Sequence, residues 1–547
     1  MHRVRSGVGR MSVADSIVTT VKPFFDFCES YAWIGHATYV LKVPAIDDAI
    51  APVAEGMGLG LSLIKYMITL FAAYPLMGLF RLLPSTFLKH VMSAGVGIFF
   101  VQWVFGPDWI HSFIAAAMTY FICLLGPKKS VGKLTYYAVL GYMVGCHAYR
   151  MYVNYLAGTP YHLFDLDFTG VQMVLTMKLT GFGYNVQDGA EKVKVEDDVS
   201  PADNKMLDKA ALAKKKLRES REKFAIRKLP NPLEFLSYSF CFAQLMVGPA
   251  FEYTDFIAVL ETGTSNCPPN HKMEDNEKPS FLRGKSIFDR NSVVAAIHKL
   301  VIGVVCMVAY MQLSGNGFTT HYAYQPDWIA ARPWWVRYAH MYTCMISERF
   351  KFYFIWKMSE GANILGGFGF QGYEGDLKTP RGFRGVENMD ILGFEFSTSV
   401  QTLSRAWNKG TQAWLERYTH NRTGRSLLIT YFVSAIWHGL YPGFFLFFLA
   451  VPLLTDIERA CKTKLNKIMV PAYDGRNVET YPKGMVPALY WVFCWLCKSL
   501  AMNYVTMTFS MGYYVNSMTA LGSYNHVPHM IFVSVAILLR LLPAPKK

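Results

Sequence analysis

The chain has 547 residues, 52% of them hydrophobic and 15% aromatic, and a formal net charge of +15. It has no Gly/Ser-rich linker and no internal repeat, but many apolar runs near the roughly 20 residues that cross a bilayer. That combination excludes a string of soluble domains and reads as one polytopic membrane domain over residues 1–547, with membrane lipids rather than nucleic acid as partners of its basic loops.

Mean hydropathy is only +0.19, lower than a bundle facing lipid throughout would give, so polar residues inside the bundle and an internal cavity are expected. Arg3, Arg5 and Arg10 are not followed by a tight apolar stretch ending in small residues. The first membrane segments are therefore expected to direct targeting, without a cleavable signal peptide. The ten cysteines are scattered, and only Cys494 and Cys497 form a CxxC; with no second pair and no neighbouring histidine they read as core cysteines, with no metal site.

Residues 1–55 mix charge with short apolar pieces and suit the interface. Gly56 to Leu83, Phe87 to Phe105, Trp109 to Leu125 and Leu134 to Leu156 read as spans. Tyr161 to Phe182 carries Asp165, Asp167 and Lys178, and is expected to line a cavity or lie in the interface. Residues 187–230 are highly charged, with the run Lys214–Lys215–Lys216, and predict a cytosolic loop whose second half is helical. Asn231 to Leu260 holds Gly248-Pro249, which should break a helix at membrane depth. After a polar loop at 261–287, Ser292 to Leu313 spans again. Trp334 to Ile364 mixes aromatics with Glu348, Arg349, Lys351, Lys357 and Glu360, so one of its faces should be wet. Gly361 to Gly385 reads as a glycine-rich loop, without the strand–turn–helix context of a phosphate loop. Phe444–Leu454, Met485 to Leu500, Met502 to Leu521 and Met530 to Leu542 complete roughly ten or eleven membrane segments.

The stretch from Arg405 to Phe445 holds the chemistry. Leu403, Trp407, Trp414 and Tyr418 fall on one helical face, opposite Arg405, Lys409, Glu416 and Arg417. They predict an amphipathic helix with Asn408 near its start. Ser426 to His438 predicts an apolar helix on which Leu427, Tyr431, Ser434 and His438 share a face, the small Ser434 leaving room before the imidazole, and Pro442-Gly443 ends it. A histidine at membrane depth is costly and faces a cavity or a partner. On one straight helix Asn408 and His438 would lie roughly 45 Å apart; they meet only if the turn at Thr419–Arg425 folds the chain back. A neutral imidazole suits general-base work on an alcohol attacking an acyl thioester, and an asparagine can donate to the oxyanion or hold the substrate. No GxSxG elbow accompanies the histidine, which favours direct transfer. On periodicity alone, a packing histidine beside a tryptophan is the stronger reading.

Trp437-His438-Gly439 followed by Pro442-Gly443 resembles the signature of the membrane-bound O-acyltransferase family, and RAWNKGTQAWLERY resembles its asparagine motif. KFYFIWKMSEGANILGGFGFQGY and GFEFSTS resemble segments of the lysophospholipid acyltransferase branch, and the likeness is concentrated in residues 350–448. The resemblance implies an all-α polytopic bundle with an internal reaction chamber, in a multi-pass protein of the endoplasmic reticulum membrane. It implies acyl-CoA as co-substrate without a further cofactor, a lysophospholipid acceptor, His438 as the catalytic histidine and Asn408 as its partner. Trp407, Ser434, Trp437, Arg405 and Lys409 are the substrate-binding candidates, and Arg417, Arg422 and Arg425 join Arg405 and Lys409 as candidates for the CoA phosphates. Other acceptors within the family (a neutral lipid, a sterol or a protein) and, from another class, a transporter built on broken helices remain open readings.

Overall fold

The computed structural model describes residues 43–156, 166–191, 209–262, 290–371, 382–469 and 484–541, with Thr19, Lys22 and Pro23. All regular structure among the described residues is helical. After α1 (Pro44–Gly56), three apolar helices follow through short turns: α2 (Leu61–Leu82), α3 (Thr86–Phe105) and α4 (Trp109–Leu125). Then come α5 (Val131–Leu156) and α6 (Thr169–Ala190), the cation-rich α7 (Lys209–Phe224), α8 (Pro232–Ser239) and α9 (Tyr253–Thr262). The hairpin of α10 (Arg290–Gly315) and α11 (Trp334–Leu365) is the most extensive helix pairing. Short helices α12 (Ile391–Glu395), α13 (Val400–Ala406) and α14 (Lys409–Tyr418) lead into α15 (Leu427–His438), α16 (Pro442–Met469), α17 (Met485–Met511), α18 (Tyr514–Gly522) and α19 (Val527–Leu541).

Three hydrophobic clusters hold the bundle. One joins α2 to α4, α6, α8 to α10 and the second half of α11. Another joins the first half of α11 to α13 and α16 to α18. The third, built from Tyr136, Leu140 and Met143 of α5, Val174, Met177 and Tyr184 of α6, Trp414 and Tyr418 of α14, and Val433 and Trp437 of α15, surrounds the stretch that carries Asn408 and His438.

α6 is buried along nearly its whole length although it carries Gln172, Lys178, Asn185, Gln187 and Asp188. Buried polar groups are tolerated when partnered. Lys178 Nζ donates to Gln244 Oε1 (3.2 Å) and to the Tyr238 carbonyl, and lies 4.5 Å from the Tyr238 ring centre. Asp188 accepts from Arg221 (2.6 and 2.9 Å) and Arg422 (3.1 Å). Gly183, where a Cβ would lie 2.5 Å from Thr135, lets α5 approach closely.

Among the described residues, four regions are long and apolar enough to cross a membrane: Leu61–Leu82, Thr86–Leu125, Ser292–Tyr324 and Met485–Met511. Val294, Ile297, Val301, Val305 and Val308 form an outward stripe on α10, each at least half exposed, the pattern of a lipid-facing helix.

Several expectations are corrected. Of the 161–182 run, expected to line a cavity or lie in the interface, the part from Thr169 is the buried helix α6, whose polar groups find partners inside the bundle. Lys357 and Glu360 are buried rather than on a wet face, because they neutralise each other. The helix expected to carry Leu403, Trp407, Trp414 and Tyr418 is two helices, parted at Asn408 by its left-handed backbone (φ 44°, ψ 56°). The 485–500 and 502–521 runs are not two spans, since α17 runs on to Met511. Cys497 is exposed and Cys494 half-buried, so neither is a core cysteine. Residues 372–381, in the expected glycine-rich loop, lie outside the described residues.

Gly97 sits where α3 crosses the end of α8: a Cβ there would lie 1.5 Å from the Phe240 carbonyl oxygen. Gly97→Ala should destabilise the fold by about 1–3 kcal/mol, the usual cost of overpacking, read as a lower melting temperature in detergent. An unchanged melting temperature would mean the two elements can separate freely.

Candidate active site

α15 begins at Ser426, whose hydroxyl accepts from Ile429 N (3.3 Å), and ends at His438. The stop is set by Gly439, whose φ of 140° is a conformation L side chains rarely adopt. Pro442 then opens α16. Gly443 presses this start onto α17: its N–H donates to Gly512 O (2.7 Å), and a Cβ there would meet Thr508 O at 2.1 Å. This approach builds a ring cage around His438. Phe448 stacks on the imidazole at 5.2 Å, Phe509 stands edge-on at 5.0 Å, and Trp437 and Phe444 close the sides at 4.7 and 6.1 Å. His438 is half-buried, and among the described residues neither ring nitrogen has a hydrogen-bond partner.

Asn408 is positioned from α11. Glu360, fully buried, accepts at one oxygen from the backbone N–H groups of Asn388 (2.9 Å) and Met389 (3.1 Å). Its other oxygen pairs with Lys357 (2.7 Å) and Lys299 (2.8 Å). Held in this way, Asn388 caps α14: its carbonyl accepts from Lys409 N (2.9 Å) and its side chain from Gly410 N (3.0 Å). The chain must therefore turn at residue 408 itself. Asparagine is among the few non-glycine residues that take this left-handed conformation readily. The Asn408 side chain is half-buried and, like His438, has no hydrogen-bond partner among the described residues.

α6 shows how the two residues come to one level of the bundle. Along it, α14 and the following turn pair in register: Thr411 with Met177 (3.3 Å), Trp414 with Thr180 (2.9 Å), Tyr418 with Asn185 (2.9 Å) and Arg422 with Asp188, at a sequence separation of 233 or 234 throughout. The two segments run parallel, and extending the register places Asn408 level with Val174. Trp437 Nε1 donates to Met173 O of α6 at 3.0 Å, so the residue before His438 sits at the same level. Trp414 and Trp437 touch at 5.8 Å. The fold-back demanded by the sequence is present, and both residues lie at its far end.

The remaining candidates divide. Trp437 is a neighbour of the imidazole, and Ser434 is buried one turn before it. Trp407 packs instead among Phe352, Tyr353, Trp356 and Phe394 at 5.0–6.2 Å. Lys409 is paired with Glu387 (2.6 Å). Arg417 is bound by Glu252, and Arg422 by Asp188. Arg405 and Arg425 form no ion pair with a described residue. Beside Arg417, outside the candidate spans, burial pushes Asp255 up to about 6, with Lys223 opposing. Sequence reasoning missed Glu360 and Asn388 as supports of Asn408; Glu360 was visible only as an unexplained charge in an aromatic segment.

The sequence matches the model of the membrane-bound O-acyltransferase family over residues 153–507. It is 26% identical to the mouse (Mus musculus) membrane-bound glycerophospholipid O-acyltransferase 2 over 457 residues, covering 83% of this chain and 79% of that protein. Lysophospholipid acyltransferase 2 of Arabidopsis thaliana is 26% identical over 501 residues, 90% of this chain and 96% of the relative. Human (Homo sapiens) membrane-bound glycerophospholipid O-acyltransferase 1 is 26% identical over 471 residues, covering 84% and 85%.

Glu360→Ala would leave two lysines and two backbone N–H groups without their acceptor, and losing one partner of a buried pair costs about 3–5 kcal/mol. A melting temperature equal to wild type would show that the Asn388 segment is held by something else.

Proposed function

This multi-pass membrane protein belongs to the membrane-bound O-acyltransferase family, and we propose that it transfers a fatty acyl chain from acyl-CoA to the free sn-2 hydroxyl of a lysophospholipid. Three relatives with broad coverage, from mouse, human and Arabidopsis, are named as glycerophospholipid or lysophospholipid acyltransferases, which supports this acceptor class. The observation that carries the reading is the imidazole of His438, caged by four rings and level on α6 with the carboxamide of Asn408, neither with a hydrogen-bond partner among the described residues.

In the proposed step a His438 ring nitrogen takes the hydroxyl proton as the oxygen attacks the thioester carbon. The tetrahedral oxyanion accepts from the Asn408 amide, and its collapse breaks the C–S bond. The departing CoA thiolate then takes the proton from the imidazolium. The thioester is already activated, so no acyl-enzyme and no further cofactor enters the scheme. Arg405 and Arg425 are the described cations of the stretch left free for the CoA phosphates. We place the protein in the endoplasmic reticulum membrane, the site expected for phospholipid remodelling; co-localisation with markers of that membrane tests this.

His438→Ala should lower kcat by about 10²–10⁴-fold, the contribution of a general base, with the protein still folded and membrane-inserted. Near-wild-type transfer to every member of a panel of lysophospholipids, neutral lipids and sterols would sink the proposal; transfer only to a non-phospholipid would move the acceptor.

At Asn408 the backbone and the side chain can be tested apart. Glycine adopts the left-handed turn freely but carries no amide. Asn408→Gly should keep the wild-type melting temperature and lose about 10²-fold or more in kcat, as removal of an oxyanion donor does. Full activity in this variant would reduce the residue's role to shaping the turn.

A further inference from the structure

We propose that His147, on α5, is a positioning residue for His438; this rests on the reading of His438 as the base. α15 ends at His438, so the carbonyls of its last turn lack intrahelical donors. One of them, the Trp437 oxygen, lies 3.1 Å from His147 Nε2. A carbonyl only accepts, so Nε2 carries the proton and donates. In the neutral ring this assigns Nδ1 as the unprotonated nitrogen. Nδ1 faces the turn that follows the base: a Cβ on Gly439 would sit 3.7 Å from it. His147 is buried, which shields the bond from competing water.

Trp437 is anchored on a second side, since its indole Nε1 donates to Met173 O of α6. The residue before the base therefore has its backbone tied to α5 and its side chain tied to α6. His438 has no such tie among the described residues; its ring packs against four aromatic rings. Packing can hold the plane of the imidazole, but the height of its Cα is inherited from Trp437. A helix terminus without this donor is free to fray or to unwind toward Gly439. Displacing a catalytic group by about 1 Å can cost 10²-fold in rate, so a single hydrogen bond to the adjacent residue has leverage on turnover beyond its effect on stability.

The test compares His147→Gln with His147→Met in purified protein. The two replacements are close in size, but only glutamine carries an amide nitrogen near the position of Nε2. His147→Met should lower kcat by about tenfold or more, while the KM values for acyl-CoA and lysophospholipid stay within about twofold. His147→Gln should recover kcat to within about threefold of wild type, because the carbonyl regains a donor. His438→Ala is assayed alongside. If that variant is inactive while His147→Met keeps wild-type kcat, or both His147 variants lose kcat alike, or the loss lies in KM alone, positioning by His147 is overturned and the base reading survives. If His438→Ala stays active, the base reading falls and the positioning role falls with it. Should His147→Met not be recovered folded, His147→Gln decides alone: kcat within about threefold of wild type supports the proposal, and any greater loss overturns it.

Discussion

A helix bearing a lysine, three side-chain amides and an aspartate can be buried only if these residues meet partners, and this constraint on α6 orders much of the bundle. Lys178 draws in the segment around Gln244 and Tyr238, just before the chain turns at Gly248-Pro249. Asp188 gathers Arg221 of α7 and Arg422 of the turn after α14. Between them, Thr180 and Asn185 dock Trp414 and Tyr418. Because these partners sit at a nearly constant sequence separation, α14 has no freedom to slide along α6. A slip of one turn would strand an aspartate, an asparagine and an arginine together. The polar content that keeps the overall hydropathy low is thus what fixes the register of the candidate site.

The second support is independent and comes from the other side. Fully buried Glu360 gathers two lysines and two backbone amides around it. Taking a carboxylate out of water is expensive, and such clusters gain little net stability over well-packed apolar groups. What this one does is specify geometry: it holds Asn388 where its backbone and side chain cap α14, so the left-handed turn falls on residue 408. A matching device stands behind α13. Glu395 is gripped by Arg349 (2.8 and 3.2 Å) and Tyr353 (2.6 Å) of α11, while its carbonyl accepts from Trp495 of α17 (2.7 Å). Two glutamates thereby tie the segment leading to Asn408 to the long helix α11.

How much of this the sequence disclosed follows from what governs each feature. The apolar helices α2 to α5 and the end of α15 were legible because local pattern decides them, and so was the break at Gly248-Pro249. The need for a fold-back between Asn408 and His438 was legible from helix geometry alone. α6 was not, since a polar helix reads as interfacial until its partners, often more than 200 residues away, are known. The break at Asn408 was hidden for a related reason. Periodicity ran smoothly from Leu403 to Tyr418, and the cap that ends the pattern comes from Asn388, in a different segment. The likeness to a known family singled out His438 and Asn408, but said nothing of Glu360 or His147, which act through other residues.

The surroundings of His438 set it apart from histidines oriented by a carboxylate. A triad fixes its imidazole by a hydrogen bond to a third polar group, which also settles the tautomer. Here rings from α15, α16 and α17 pack around it, and the approach of the last two helices depends on Gly443 lying against Thr508 and Gly512. Ring packing restricts rotation of the imidazole but assigns no proton. The proposed base needs its backbone placed accurately, since no side-chain partner among the described residues corrects an error. That requirement falls on Trp437, and through it on the two helices that bind its carbonyl and its indole. The polar ties to α5 and α6 are therefore made one residue away, while the imidazole itself packs against aromatic rings.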